Sequence, residues 1–319
     1  MENYFGTSKW RWLQLKESET REPSPRSKES PGFKESPRFN EWLDNVRDRK
    51  SNYLRVDYLE DGEKVVNGSL IYKKSFTEER DFKIFHFYLT TDRLVTIDLE
   101  LSELEQIKPE FLLRLMDRTE NAVDGLLTFL GALLNDMLVE IDQFEEALHT
   151  LIWNIRKRNE IKNLERVYQL RHELLLWKNL LIPVNELKMV IEETNFPGVN
   201  KGEVFVCTCK RIDRVMSLLN EYEHEMDSII KLEEVISAHR GNEIMKTLTV
   251  ITTIFTPVMA FGALWGMNFK NMPELEWRFG YLVSIILITI STFLLYGYLK
   301  IKGWTGDLLK AKKPGSFFK

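Results

Sequence analysis

The chain has 319 residues, a formal net charge of −4 and a sequence pI of about 5.9. This balance excludes a broadly basic nucleic-acid binder, so we expect no nucleic-acid partner. Because Cys207 and Cys209 are the only cysteines, the sequence predicts no disulfide framework, and no further ligands complete a zinc site around them. We expect both cysteines to be small buried residues at the start of a helix.

Residues 1–50 are predicted to be an N-terminal segment that contains a Ser/Pro-rich linker. The tract 17–40 contains Lys-Glu-Ser-Pro twice and has almost no apolar residues. Such a composition buries too little apolar surface to offset the entropy of ordering it, so we expect a mobile Ser/Pro-rich linker. Residues 1–16 lack the continuous apolar stretch of a signal peptide, and we expect the soluble part of the chain to stay in the cytoplasm.

Residues 51–202 are predicted to form a cytoplasmic domain that combines a sheet with long helices. Four short runs alternate apolar and polar residues, which predicts strands of a mostly antiparallel sheet. These runs cover 53–58, 69–72, 83–89 and 93–99. His86 lies in the third run, where a packed or surface histidine is expected rather than a ligand.

From about residue 104 the apolar period changes to three and four residues, which predicts helices. A long amphipathic helix is expected over 120–160, and a second over 164–181, where Pro183 should end or kink it. The polar face of the first helix is expected to be solvated rather than to bind ions. Its carboxylates are Asp124, Asp136, Glu140, Asp142, Glu145 and Glu146.

Two stretches without formal charge, 247–269 and 279–299, lie near the end of the sequence. Each exceeds the roughly 20 apolar residues that cross a ~30 Å hydrocarbon core, so we predict two helices that span a lipid bilayer. A stalk helix over 203–246 should continue into the first span. Basic residues flank both spans and dominate the tail 300–319, whereas the loop 270–278 is balanced. The positive-inside rule therefore places both termini in the cytoplasm and the loop outside.

One face of the first span carries polar and sulfur-containing side chains at alternating steps of three and four residues. This seam consists of Asn242, Met245, Thr249, Thr252, Thr256 and Met259. The spacing is typical of a stripe that faces neighbouring helices in a parallel bundle. On the residues alone two interpretations stay open, a water-filled ion path or simple packing between membrane helices. Because two helices cannot enclose a pore, an ion path requires several copies around an axis.

A short motif closes the first span. It reads Gly266-Met267-Asn268 and is followed by Met272-Pro273-Glu274 and the second span. In this order the last quarter of the chain resembles the CorA family of divalent-cation transporters. The whole pattern predicts an α+β fold, with an N-terminal α/β cytoplasmic domain and a long stalk helix continuous with the first of two C-terminal transmembrane helices. The resemblance implies a homopentamer with the first span inside and the second outside.

The resemblance also implies roles for the motif. Gly266, Met267 and Asn268 would form the selectivity filter: Gly266 lets the backbone leave the helix, Met267 packs to fix the turn, and the Asn268 amide oxygen is the metal ligand. Mg²⁺ gives up its water reluctantly, so this oxygen would hydrogen-bond the hydration shell. Glu274 and Glu276 in the outer loop are expected to raise the local cation concentration.

The pore lining is expected to include an apolar constriction at Met245 and Leu248, which can gate by dewetting. Asn242 would form a polar ring at the cytoplasmic entrance. Thr256 departs from the bulky apolar residue that is common in close relatives, which makes that level wetter. The complete predicted lining is Asn242, Met245, Leu248, Thr249, Thr252, Thr256 and Met259.

We therefore predict passive, potential-driven uptake of Mg²⁺ across the cell membrane by a homopentamer, with no enzyme activity and no cofactor. A divalent ion gains about 4.6 kcal/mol per 100 mV of inward potential, so no coupled reaction is needed. Transport of Zn²⁺, or of Co²⁺ or Ni²⁺, by the same superfamily remains an alternative. A two-span membrane sensor that signals through its stalk is an alternative of another class.

Overall fold

The computed structural model describes residues 2–5, 10–16, 37–46, 49–60, 62–74, 82–157, 161–200, 202–268, 270 and 272–304. The predicted mobile linker lies outside the described residues except at 37–40, which begin a helix. Two compact units make up the chain. The first comprises Met1–Asn154 with Glu160–Met226, and the second comprises Ile155–Asn159 with Asp227–Lys319.

A mixed sheet with long helices confirms the predicted α+β class. Within the described residues the sheet has six strands in the order β1-β2-β6-β5-β4-β3. Neighbouring strands are antiparallel except β2 and β6, which are parallel. The strands are β1 (Glu2–Phe5), β2 (Trp10–Leu15), β3 (Tyr53–Tyr58), β4 (Lys64–Lys74), β5 (Phe82–Leu89) and β6 (Arg93–Ile97).

Strands β1 and β2 lie in the N-terminal segment, where the sequence pattern predicted no strand. Trp10 and Trp12 of β2 are fully buried, and the Trp12 indole N–H donates to the Thr96 hydroxyl at 2.9 Å. Strand β2 pairs with its sequence neighbour β1 and with β6, which is about 80 residues further along the chain. The short pattern of the first 16 residues therefore could not reveal the long-range pairing with β6 that completes its burial.

Aromatic side chains cover both faces of the sheet. On one face Phe85 lies 5.6 Å from the ring of Phe129, which belongs to the long helix α3 (Ala122–Lys157). On the other face helix α1 (Pro37–Val46) places Phe39 edge-on against Tyr88 at 5.2 Å. The period-two alternation of β5 thus supplies each face with its own aromatic residues.

Helix α3 approaches strand β2 closely at Gly125. A Cβ atom added at Gly125 would lie 2.4 Å from the Trp10 ring. Because the Trp10 side chain is only 1% exposed, it has no room to move aside. Glycine at this position therefore sets the distance between the helix and the sheet.

The remaining helices follow in chain order. They are α2 (Pro109–Met116), α4 (Ile161–Thr194), α5 (Glu203–Trp265), α6 (Pro273–Glu276) and α7 (Gly280–Ile301). The predicted end of the second long helix near residue 181 is wrong, because Pro183 lies inside α4. A proline removes one helical N–H, but Leu181, Val184 and Leu187 are buried beside it and hold the helix in place.

Polar contacts join the three long helices within the first unit. The Trp177 indole N–H of α4 donates to Glu140 of α3 at 2.8 Å, and the Tyr222 hydroxyl of α5 donates to Glu145 at 2.9 Å. Lys178 of α4 forms an ion pair with Glu223 of α5. These contacts hold the N-terminal half of α5 against α3 and α4.

Candidate functional site

Three helices in the described part of the chain are long and apolar enough to cross a membrane: α3, α5 and α7. The apolar window of α3 is 67% buried inside the structure, because this helix covers the sheet. The windows of α5 and α7 are only 11% and 6% buried. An apolar surface of that extent is stable in hydrocarbon rather than in water. Helices α5 and α7 are therefore the membrane candidates.

The apolar half of α5 has one covered face. The buried residues of this half of α5 are Val250 and Pro257. The other long helix described in the same unit is α7. Successive helical residues are about 100° apart, so Thr252 lies about 200° round the axis from Val250, and Met259 about 200° from Pro257. Thr249, however, lies only about 100° from Val250, and Thr256 only about 100° from Pro257, so the predicted seam extends from the flank of the covered face to its opposite side.

The predicted lining residues are accessible in the single chain. Asn242, Met245, Leu248, Thr252, Thr256 and Met259 are exposed, and Thr249 is half-buried. The helix is continuous through all seven positions. The residues thus share one broad, largely exposed face of α5, as their spacing requires.

The three seam threonines use their hydroxyl hydrogens within the helix. Thr249 donates to the Met245 carbonyl at 2.8 Å, Thr252 to the Leu248 carbonyl at 2.9 Å, and Thr256 to the Thr252 carbonyl at 2.7 Å. Each hydroxyl oxygen keeps its lone pairs on the outside of the helix. This face therefore presents hydrogen-bond acceptors.

The motif at the outer end follows the last residue of α5, Trp265. The Gly266 N–H still bonds to the Gly262 carbonyl at 2.9 Å, and its backbone is not left-handed. A Cβ at Gly266 would lie 3.0 Å from the Gly262 carbonyl oxygen, so glycine is favoured by crowding at the helix end. Asn268 is exposed. Met267 is 49% exposed, so it does not show within its own chain the packing that the resemblance implied.

The loop between the two apolar helices contains the short helix α6. Glu276 at its end is exposed, whereas the side chain of Glu274 lies outside the described residues. Trp277 and Phe279 meet edge-to-face at 6.3 Å, and Tyr281 is largely exposed at the start of α7. Aromatic rings at this level are typical of a membrane–water interface.

On the N-terminal side of the apolar part, α5 continues as the stalk. The stalk positions in register with the seam are all exposed. They are Ala238, Val235, Lys231, Ser228, His224 and Glu221. No acidic ring dominates this row, and the described residues contain no group of three or more His, Cys, Asp or Glu side chains able to hold a metal ion.

Comparison with known proteins identifies the family. The model of the family described as CorA-like Mg²⁺ transporter protein matches residues 8–301. The magnesium transport protein CorA of Bacillus subtilis is 42% identical over 306 residues, which cover 95% of this chain and 94% of that protein. This chain belongs to the CorA-like Mg²⁺ transporter family. It is therefore a member of a family of membrane transporters, not of enzymes.

More distant CorA proteins show the same relationship. The cobalt/magnesium transport protein CorA of Thermotoga maritima is 27% identical over 182 residues, covering 56% of this chain and 52% of that protein. The structure of the CorA magnesium transporter from Methanocaldococcus jannaschii matches with a TM-score of 0.63 at 18% identity. It covers 93% of this chain and 92% of that chain. At this low identity the structural match establishes a common fold.

The acidic residues of α3 in this CorA chain are less solvated than expected. Asp124 is buried and accepts from the Asn121 amide at 2.8 Å, while Asp136 accepts from the backbone N–H of Glu105 at 2.8 Å. Burial raises the pKa of Asp124 and of Glu140. The prediction of a merely solvated face is therefore wrong for these residues, which serve the packing of α3.

The two cysteines differ in environment. Cys209 is buried, and burial raises the pKa of its thiol to about 11. Cys207 is exposed, so the expectation that both are buried is wrong. Residues two apart on a helix point about 200° from each other, which separates the two thiols. The pair therefore cannot chelate one metal ion.

Proposed function

We propose that five copies of this chain assemble around an axis into a channel for passive uptake of Mg²⁺ across the cell membrane. The observation that carries the proposal is the seam of α5, which is continuous and largely exposed, and whose members Thr252 and Met259 lie opposite the buried residues of the same helix. In a ring of two-helix subunits, a face opposite the outer helix points to the axis. The family membership, and the similarity to the magnesium transport protein of Bacillus subtilis, support Mg²⁺ as the cargo.

The chemistry of the seam suits a hydrated cation. Water molecules bound to Mg²⁺ direct their oxygens to the ion and their hydrogens outward, so the shell needs acceptors around it. The hydroxyl oxygens of Thr249, Thr252 and Thr256 are such acceptors, because their hydrogens are already donated to helix carbonyls. An anion would find no donor from these hydroxyls.

At the outer mouth the exposed Asn268 adds an amide oxygen from each subunit. Neutral oxygens select a hydrated cation by size and charge without removing its water. The exposed carboxylate of Glu276 supplies a negative field at the same end, and we expect the same of Glu274. At the other end Met245 and Leu248 are apolar and accessible, which suits a dewetting gate.

The orientation follows from charge and aromatic residues. Trp277 and Tyr281 mark the outer interface, and Tyr298 and Trp304 mark the other end of α7. Lysines dominate the sequence beyond Lys300, so both termini lie in the cytoplasm in our proposal. An inside-negative potential then drives a divalent ion inward.

Cobalt is a second candidate cargo, because the Thermotoga maritima relative is named for cobalt and magnesium. Amide and hydroxyl oxygens are hard ligands, and they do not rank hydrated divalent ions of similar size sharply. We expect Co²⁺ to compete with Mg²⁺ rather than to replace it.

The test is ion flux into vesicles that contain the purified full-length protein. Mg²⁺ entry should rise when a potassium diffusion potential makes the interior negative, and Asn268→Ala should abolish it without changing the number of subunits per particle. The exposed residue Asn179 of α4 gives a matched control, since Asn179→Ala should leave flux unchanged. Normal flux through Asn268→Ala, insensitivity to potential, or a particle of fewer than five subunits would each contradict the proposal.

A further inference from the structure

Helices α3 and α4 pack against each other as an antiparallel pair. The Trp177 indole of α4 bonds to Glu140 of α3 at 2.8 Å, and nearer the connection Asn154 and Asn163 line one groove. Moving from Glu140 toward the connection along α3 therefore corresponds to moving back from Trp177 along α4. Both helices rise by about 1.5 Å per residue, so residues that lie the same number of steps from these two are at the same level.

Each helix of the pair carries a stripe of exposed residues at steps of four, three and four. We call these the α3 stripe and the α4 stripe. The α3 stripe is Asp142, Glu146, His149 and Trp153, and the α4 stripe is Leu164, Tyr168, Arg171 and Leu175. Such spacing keeps one face of a helix toward a partner helix in coiled-coil packing. Both stripes lie in the first compact unit.

The two stripes point to opposite sides of the helical pair. Glu146 is six residues from Glu140, and Arg171 is six residues from Trp177, which in each case is a turn of about 240° round the helix. A right-handed helix turns in the same sense whichever way it is followed. The two turns therefore start from opposite directions and end in opposite directions, so the stripes cannot meet within one chain.

The levels of the two stripes match residue by residue. Trp153 is level with Leu164, His149 with Tyr168, Glu146 with Arg171, and Asp142 with Leu175. The first two levels combine apolar and aromatic surface, the third combines opposite charges, and the fourth, a carboxylate with a leucine, is the least favourable. Trp153 is 55% and Tyr168 is 61% exposed, so contact between the stripes would cover large rings that the single chain leaves in water.

We propose that the α4 stripe of one copy packs against the α3 stripe of the next copy in the assembly. Rotation about an axis roughly parallel to the helices keeps every residue at its level, so cyclic symmetry brings the matched residues together. Because the two stripes differ and point to opposite sides, the contact is heterologous, and such contacts close into rings. The inference rests on the proposed assembly of five copies but not on ion conduction.

The test is disulfide crosslinking between copies of the full-length protein in membranes. Glu146→Cys and Arg171→Cys are introduced together, and Cys207→Ser removes the exposed native thiol. Mild oxidation should link the copies into a ladder that ends at five, because a disulfide forms only where two Cβ atoms come within about 4 Å.

A matched control keeps the same face of α4 and changes the level. Met189 is exposed and lies 18 residues from Arg171, which is a whole number of turns and about 27 Å along the helix. Glu146→Cys combined with Met189→Cys should therefore give no ladder. Arg171→Cys alone should give none either, since the α4 stripe faces an α3 stripe in the next copy.

Exchange of charges gives a second measurement. Arg171→Glu places a carboxylate opposite Glu146, and Glu146→Arg in the same chain restores the attraction. One exposed ion pair changes an equilibrium about two- to five-fold, and the ring repeats it at each contact, so Arg171→Glu should lower the ratio of complete rings to single chains by more than about ten-fold in native mass spectrometry. Arg114→Gln, at an exposed arginine of α2, should leave the ratio unchanged.

Three results would overturn the inference. Particles of five subunits without a ladder would mean that the ring uses other contacts, and the proposed channel would stand. A ladder that stops at two copies, formed by Arg171→Cys alone, would mean that two α4 stripes pair with each other. Equal ladders from the matched pair and from the Met189→Cys control would mean random collision. A ladder that ends at another number would support the stripe contact and contradict the five-fold assembly, and Mg²⁺ flux reports separately on conduction.

Discussion

Replacement of one seam hydroxyl tests whether this face of α5 meets the permeating ion. Thr252→Val keeps the shape of the side chain and removes the hydroxyl oxygen. A matched control exists in the same helix, because Thr247 makes the same kind of bond to the carbonyl four residues earlier. The distances are 2.9 Å from Thr252 to Leu248 and 2.8 Å from Thr247 to Glu243. Thr247 is half-buried and lies on the covered side of the helix.

The expected magnitude follows from the bonds that are lost. Both replacements remove a hydroxyl bond to the helix backbone, which Thr252 shares between the Leu248 and Thr249 carbonyls, so their effects on α5 itself should be similar. Only Thr252→Val also removes acceptors from the proposed path. If a passing hydrated ion uses two hydroxyls of a Thr252 ring at about 1 kcal/mol each, its barrier rises by about 2 kcal/mol. Flux should then fall about 30-fold.

The assay is the initial rate of Mg²⁺ entry into vesicles at a fixed inside-negative potential and equal protein density. Thr252→Val should show the loss, Thr252→Ser should restore most of the rate, and Thr247→Val should resemble the unmodified protein. Equal rates for the two valine variants would refute the reasoning, because the seam would then be a packing surface between helices.

Three further predictions concern the gate, the core and the cysteines. Met245→Asp should raise basal flux, because carboxylates would hold water in the apolar constriction, and a fluorescent ion indicator in vesicles measures the change. Gly125→Ala should lower the free energy of unfolding by about 1–3 kcal/mol, measured by denaturation, because its Cβ meets the fixed Trp10 ring. At pH 8 a thiol reagent should label Cys207 and spare Cys209, whose pKa of about 11 leaves roughly one thiolate in a thousand, as mass spectrometry would show.

Each of these predictions has a control. Met245→Leu keeps an apolar constriction and should leave basal flux low. Gly241→Ala, where an added Cβ meets nothing within 4 Å, should be neutral or slightly stabilising. In denaturant both thiols should react equally. Unchanged flux in Met245→Asp, unchanged stability in Gly125→Ala, or rapid labelling of Cys209 in the folded protein would count against the corresponding argument.

The elements that sequence reasoning located well are those with a long, regular pattern. The stalk and first span were predicted as one helix from Glu203, and α5 begins at that residue and ends at Trp265. A continuous apolar period over many turns leaves little choice of structure. The regular spacing of the seam residues likewise places them on one face of this helix, while their role as a pore lining stays a prediction.

Sequence reasoning failed where distant contacts decide the structure. Strand β2 is short and is identified by Trp10 and Trp12, which become buried only when β6 and α3 are in place. Pro183 is a local signal for a helix end, but the buried residues around it override that signal. The burial of Asp124 and the exposure of Cys207 likewise depend on neighbouring helices rather than on local sequence.

The exposed state of the seam in one chain is itself an argument for assembly. Lipid tails can cover the isoleucine and phenylalanine side chains of α5, but they offer no hydrogen bonds to Asn242 or to the threonine oxygens. The covered face, marked by Val250 and Pro257, flanks the seam at Thr249 and lies opposite it at Thr252 and Met259, and the seam residues other than Thr249 are exposed. Water or a second copy must therefore meet these groups. A ring of copies provides both, because each seam then faces neighbouring seams across a wet axis.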